Sequence, residues 1–189
     1  VQEIPHGAAG IARGDIYDRN GVLLATTIKA ASLYVDPQLI SDPKKTAQGR
    51  VNIFPDLSYG DTLPKLQDGK KRFIWLKRNL MPREQYKVLD LGEPGLAFRY
   101  EDRRVYPQGA IAAHLVGYAG IDSQGLAGVE RSFNVLLGKG EAVSLTMDIR
   151  LQHALRREMK RAVRDFHARA GVGVIMDVRN GEMLAMTSY

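Results

Sequence analysis

Ser41-Asp42-Pro43-Lys44 fits S-x-x-K, a spacing used by serine acyl-transfer enzymes, in which a lysine amine one helical turn away takes the hydroxyl proton. Pro43 lies inside the pattern, no apolar helix follows it, and neither S-D-N nor K-T-G occurs later in the chain. Ser41 is therefore not expected to act as a nucleophile. Glu101 and Asp102 are adjacent on a predicted strand, where neighbouring side chains point to opposite faces, so they make no acid–base pair. His6, His114, His153 and His167 have no metal-ligand spacing. His153 and His167 read as solvated residues beside a basic helix face, and His114, in an apolar stretch, as a hydrogen-bonded structural histidine. The absence of cysteine excludes disulfide scaffolds, thiol catalysis and cysteine-held zinc or iron–sulfur centres. There is no phosphate loop or dinucleotide fingerprint. Arg13-Gly14-Asp15 spells an adhesion tripeptide, but the glycine has a sufficient local role in a turn. The residues themselves offer no active site, no metal site and no cofactor.

The elements that could position these side chains are those of an α+β protein of mixed small sheets and short helices. The 189 residues are 44% hydrophobic, enough to bury a core, and no apolar run approaches the ~20 residues of a membrane span. Ile16-Tyr17 and Val22-Leu23-Leu24 flank Asp18-Arg19-Asn20-Gly21, a hairpin signal in which Asn and Gly both tolerate φ > 0. A strand follows over 31–35, and proline and glycine break 41–69 into short helices or loops. Phe73–Leu76 reads as a strand, Pro82 as the start of a short helix, and 96–106 as another strand. Ile111–Leu115 reads as a helical turn or two, and Leu126–Leu137 as one helix stopped by glycine. From Asp148, apolar residues recur at helical spacing to Phe166, with Gly171 as the stop. A second Asn-Gly hairpin closes the chain over 172–188. The net charge of +6 comes from two stretches. Residues 70–87 hold seven basic residues and one acidic, and residues 150–169 hold seven and two. Such patches could meet an anionic polymer or simply face solvent.

Five segments, in order, resemble class B penicillin-binding proteins. Arg13–Ala25 is similar to the motif R-G-x-I-x-D-R-x-G-x-x-L-A, matching at Arg13, Gly14, Ile16, Asp18, Arg19, Gly21, Leu24 and Ala25. Arg103–Gly120 resembles R-x-Y-P-x-G-x-x-A-H-x-x-G-y. Asp122–Gly140 resembles the G-x-x-G-x-E segment, with Gly125, Gly128 and Glu130 in place. Leu145–Gln152 and Val174–Tyr189 resemble the entry to the transpeptidase domain. The short passage from Gly120 to Glu130 is closer to the septal, cell-division branch than to the elongation branch. Between Leu137 and Leu145, where many members carry an insertion, there is a short Gly-Lys-Gly link.

The resemblance implies an elongated N-terminal pedestal (dimerisation) module over 1–140. Residues 141–189 would be a linker, long amphipathic helix and hairpin from the start of a truncated transpeptidase domain. It implies a periplasmic position, with an upstream membrane helix and a downstream catalytic domain outside this sequence. It implies a non-catalytic role in peptidoglycan synthesis: positioning the D,D-transpeptidase and docking the membrane glycan polymerase and other division proteins. Peptidoglycan would be met only through the missing domain. No catalytic residue, cofactor, metal or nucleic acid is expected. The interaction residues are Arg13, Gly14, Asp18, Arg19, Gly21, Gly125, Gly128 and Glu130. Gly14 and Gly21 are expected to give turn freedom, and Arg13, Asp18, Arg19 and Glu130 to form an ion-pair network holding the first hairpin against the 126–137 helix. Three rivals remain: an elongation-type module, a basic binder of anionic polymer or nucleic acid built on Lys70, Lys71, Arg72, Lys77, Arg78 and the helix arginines, and a hydrolase acylated at Ser41. The 172–188 hairpin is apolar on both faces and is expected to expose one of them, making this piece prone to form a homodimer.

Overall fold

The computed structural model describes residues 11–189. In chain order its elements are β1 (Ile16–Tyr17), β2 (Leu23–Val35), α1 (Pro43–Ile53), α2 (Tyr59–Gln67), β3 (Ile74–Leu80), α3 (Pro82–Leu89), β4 (Leu96–Val105), α4 (Ala113–Val116), α5 (Gly128–Ser132), α6 (Asn134–Gly138), β5 (Val143–Ser144), α7 (Ile149–Asp165), β6 (Val172–Met176) and β7 (Met183–Ser188). The fold is α+β, as the sequence predicts. Two compact units form: one holds 11–28 and 104–189, the other 29–103. This division follows contacts, whereas the one at 140 follows motifs.

In the first unit, β1 pairs antiparallel with β2 (Ile16 opposite Ala25) and parallel with β5 (Ile16 opposite Val143). The turn between β1 and β2 differs from the expected one. Only Gly21 has positive φ (+79°), while Asn20 does not, and the Gly21 N–H donates to the Asp18 carbonyl at 3.1 Å. A turn with a single left-handed glycine at its end needs no left-handed asparagine. The core gathers Ile16, Leu24, Ala112, Val116, Leu137, Met147 and Ile149. The single helix expected over 126–137 is two short ones, α5 and α6. Phe133 leaves helical geometry (φ −104°, ψ 23°), and the Asn134 side chain is drawn to the Gly125 N–H at 2.8 Å.

Helix α7 starts as expected, with Asp148 accepting the Arg150 N–H at 2.9 Å. It ends at Asp165, not Gly171. His167 turns left-handed (φ +52°), its N–H donates to the Arg164 carbonyl, and the Ala168 N–H reaches back to the Val163 carbonyl at 2.9 Å. That is a Schellman closure, which satisfies the last carbonyls without glycine. Gly171 instead pairs with Tyr189 beside the terminal hairpin, where β6 runs antiparallel to β7 (Val174 opposite Met186). Buried Gln152 joins α7 to β7: its amide donates to the Met186 carbonyl at 2.8 Å and accepts the Met186 N–H at 2.9 Å. Gly173 lies under Leu155 and Met159, so α7 covers one hairpin face. Val172, Val174 and Met176 on the other face are exposed.

In the second unit, β2 runs on as one strand and pairs with β3 (Tyr34 opposite Trp75) and with β4. The β-branched run Thr26-Thr27-Ile28 carries β2 unbroken from Leu23 to Val35, within the 13–36 stretch whose residues favour strand. Asp42 caps α1, and Glu84 in the first turn of α3 accepts the Met81 N–H at 2.7 Å. Leu33, Val35, Phe54, Leu66 and Leu76 form the core. Arg50 is also fully buried, donating to the Leu76 carbonyl at 2.6 Å and to Thr62 at 3.2 Å. No carboxylate among the described residues bonds to it, and burial pushes its guanidinium down to about 10 against a smaller upward pull from Asp56.

Candidate functional site

Glu130 on α5 is fully buried, a costly place for a carboxylate unless it is paired and hydrogen-bonded. Two arginines meet it. Arg13 Nε donates to Oε2 at 2.7 Å and Arg104 Nε to Oε1 at 2.7 Å, with both arginine side chains almost wholly buried. Arg13 spends its other donors on backbone and amide acceptors: the Glu130 carbonyl (2.7 Å), the Ser123 carbonyl (2.9 Å) and Asn134 Oδ1 (2.8 Å). Arg104 also reaches Thr27 Oγ1 (3.1 Å) and the Arg13 carbonyl (3.2 Å), but its Nη2 has no partner. The Tyr106 hydroxyl donates to Glu130 Oε1 at 3.3 Å and accepts the Ala119 N–H at 2.8 Å. Burial, and then the charge of Glu130, push that phenol's pKa up. One carboxylate thus ties together the strand entry at Arg13, the end of β4, α5 and the 119–125 loop.

Asp18 and Arg19 lie elsewhere, which corrects the single network expected. Asp18 is fully buried and, among the described residues, pairs with no arginine. Its Oδ1 accepts the N–H of Asn20 (2.7 Å) and Val22 (2.8 Å), and its Oδ2 accepts the N–H of Ile149 at the start of α7 (3.1 Å). Desolvation pushes its pKa up, but the bonds from Val22, Ile149 and Asn20 outweigh it and hold the carboxyl below its usual value. Arg19 reaches Glu182 at 3.3 Å, half-exposed. Gly14 has no left-handed backbone to supply. Its reason is space, because a Cβ there would strike the Glu141 carbonyl. Gly125 is likewise pressed against the Glu130 carbonyl, and Gly128 combines φ +57° with close packing on the backbone of 115–117.

Arg104, Tyr106, Asn134 and Gln152 were not singled out from sequence. Arg104 and Tyr106 had a signal, since they fill the Arg and Tyr positions of the R-x-Y-P pattern matched in Arg103–Gly120, at the end of β4 and just past it. His114 is exposed, and its side chain has no hydrogen-bond partner among the described residues, contrary to the structural role expected, because α4 turns its side outward. His153 and His167 are exposed as expected, and His6 lies outside the described residues. Ser41 is exposed, precedes the Asp42 cap and gives its backbone N–H to Glu93 at 2.8 Å. Glu101 takes the Ser32 hydroxyl and Asp102 pairs with Lys29. The basic stretches are largely interleaved with acids: Lys71 with Asp68, Arg72 with Asp36, Lys77 with Asp56, Arg157 with Glu158, and Arg161 and Arg164 with Asp165. Arg78 lies over the Trp75 ring at 4.9 Å. Among the described residues no three acidic or histidine side chains group as metal ligands.

The buried polar groups Glu130, Arg13, Arg104, Asp18 and Gln152 thus each tie elements of the first unit to one another. Residues 9–139 match the family model for the penicillin-binding protein dimerisation domain, and the chain belongs to the class B penicillin-binding proteins. It is 37% identical over 183 residues to the probable peptidoglycan D,D-transpeptidase FtsI of Caulobacter vibrioides, covering 94% of this chain and 31% of that protein. To peptidoglycan D,D-transpeptidase FtsI of Escherichia coli it is 32% identical over 210 residues, covering 94% and 35%. The chain spans about a third of the length of these curated relatives. Among solved structures, a complex between penicillin-binding protein PBP2 and MreC from Helicobacter pylori shares the fold. Its TM-score is 0.65 at 22% identity, covering 94% of this chain and 41% of that one.

Proposed function

We propose that this chain is the pedestal of a septal D,D-transpeptidase that cross-links peptidoglycan at cell division. It positions the catalytic domain and docks the membrane glycan polymerase and other division proteins. Residues 1–140 serve as the pedestal and 141–189 as the entry to the catalytic domain, and the whole is held on the periplasmic side of the membrane by a helix outside this sequence. Among the described residues, no helix is long and apolar enough to cross a membrane.

The observation that carries the reading is the pair of buried carboxylates. Glu130 unites the family-motif segments around Arg13, Arg104 and Gly125, and Asp18 joins the first hairpin to the N-terminus of α7. An element that must align a distant reaction centre needs this kind of internal rigidity. The similarity to proteins named FtsI favours the septal branch. The elongation-type alternative draws on the PBP2–MreC structure, whose low identity speaks for the fold alone.

Two measurements test the proposal. Mass spectrometry of this chain after incubation with penicillin is expected to show no adduct, because Ser41 is exposed and lies before the Asp42 cap, outside α1, rather than at the start of a helix as the acylation motif needs; an adduct would restore the hydrolase reading. Depletion of the parent protein in its host is expected to give filaments without septa. Round, swollen cells would point to the elongation branch.

A further inference from the structure

Asn-Gly occurs twice in the chain, at Asn20-Gly21 in the turn after β1 and at Asn180-Gly181 in the turn between β6 and β7. The pair carries a chemistry of its own. The backbone nitrogen that follows an asparagine can attack the side-chain carbonyl carbon, and glycine, with no side chain, leaves that approach unhindered. All four residues are exposed, so solvent base reaches both turns.

Their surroundings separate the two. At the second turn both reacting groups are held: the Gly181 N–H donates to the Asp177 carbonyl at 2.8 Å, and Asn180 Oδ1 accepts the Glu182 N–H at 3.0 Å. At the first turn both are looser. The Gly21 N–H lies 3.1 Å from the Asp18 carbonyl, and the Asn20 side-chain amide reaches Asp18 Oδ2 only at 3.5 Å. That amide also donates to the Asp148 carboxylate. It therefore stands between the two buried carboxylates that hold the start of α7, Asp18 on the Ile149 N–H at 3.1 Å and Asp148 on the Arg150 N–H at 2.9 Å.

We infer that Asn20 is a site of spontaneous deamidation whose product unlatches the first hairpin from α7. The Gly21 nitrogen gives its proton to solvent base and bonds to Asn20 Cγ, the Cγ–Nδ2 bond breaks, and the side-chain nitrogen leaves as ammonia. Water then opens the cyclic imide at either carbonyl, leaving aspartate or isoaspartate. Both products put a carboxylate where an amide had donated to Asp18 and Asp148, and like charges repel most strongly where water is excluded. The N-terminus of α7 favours anions, but two carboxylates already occupy it, and Arg150 and Arg19 are engaged with Asp148 and Glu182. Isoaspartate also adds one carbon to the backbone between the Asn20 and Val22 N–H groups. Asp18 Oδ1 accepts both of these, at 2.7 and 2.8 Å, and the lengthened turn breaks that grip.

The test ages this chain in warm, mildly alkaline buffer and maps its peptides by mass spectrometry, with an isoaspartate-specific methyltransferase marking the rearranged product. Asn20 is expected to convert several-fold faster than Asn180, and the aged chain to melt at a lower temperature than the fresh one. Asn180→Gln, in which only the first turn holds an Asn-Gly pair, should show the same fall on ageing. Asn20→Gln, whose longer side chain closes the ring far more slowly, should show none. Circular dichroism checks that Asn20→Gln folds; if it does not, fresh and aged Asn180→Gln alone decide. No conversion at Asn20, conversion at Asn180 as fast or faster, an unchanged melting temperature in aged Asn180→Gln, or an equal fall in Asn20→Gln would each overturn the inference. It stands apart from the pedestal reading, which none of these outcomes touches.

Discussion

At the residue scale, two buried carboxylates hold this molecule by different means. Glu130 is held by two guanidiniums, and removing either side leaves a buried charge without its partner, which typically costs ~3–5 kcal/mol. Glu130→Ala is therefore expected to lower stability by about that amount in urea denaturation. A double-mutant cycle with Arg13→Ala should return a coupling well above the ~0.5 kcal/mol of independent sites. Near-additive losses would mean that the pair does not act as a unit. Asp18 is held by backbone N–H groups, and its folded-state pKa lies below the unfolded value of ~3.9. Its contribution is thus complete above that value and is lost as pH falls through the folded one. The stability gap between this chain and Asp18→Asn is expected to be flat near neutrality and to narrow below about pH 4. A gap that widened on acidification would reverse the assignment.

At the scale of elements, the ends of α7 are the informative places. Its start has an expected Asp148 cap and an unexpected second ligand, Asp18, on the Ile149 N–H. Its end puts a histidine where glycine is usual. A non-glycine residue in the left-handed region costs ~1–2 kcal/mol. His167→Gly should remove part of that strain and raise stability by ~0.5–1 kcal/mol, read as a higher midpoint in thermal unfolding. His167→Ala should give no such gain, which separates backbone strain from loss of the side chain.

At the scale of the whole molecule, the last hairpin is half covered. Helix α7 packs on one face, while Val172, Val174 and Met176 remain exposed on the other. Exposed apolar strands of this kind associate edge to edge or face to face. Sedimentation of this chain is expected to show concentration-dependent self-association that Val174→Lys with Met176→Lys abolishes. A monomer at all concentrations would count against the homodimer expected from the sequence.

The α+β class, the Asp148 cap, the two hairpins and the direct contact between Arg13 and Glu130 were within reach of the sequence. The first three rest on local chemistry, whereas the Arg13–Glu130 contact joins two motifs 117 residues apart and was expected from the family resemblance. Composition alone excluded cysteine chemistry, and the proline in Ser41-Asp42-Pro43-Lys44 already spoke against a nucleophile. Tertiary structure decided which partner each buried charge takes. Asp18 and Arg19 are neighbours in sequence, yet one caps a helix 131 residues away and the other pairs with Glu182. Arg104 becomes the second partner of Glu130 only because β4 and α5 converge on one carboxylate. Local propensity acts over a few residues, whereas the cost of burying a charge is settled by whatever the folded chain brings within about 3 Å of it.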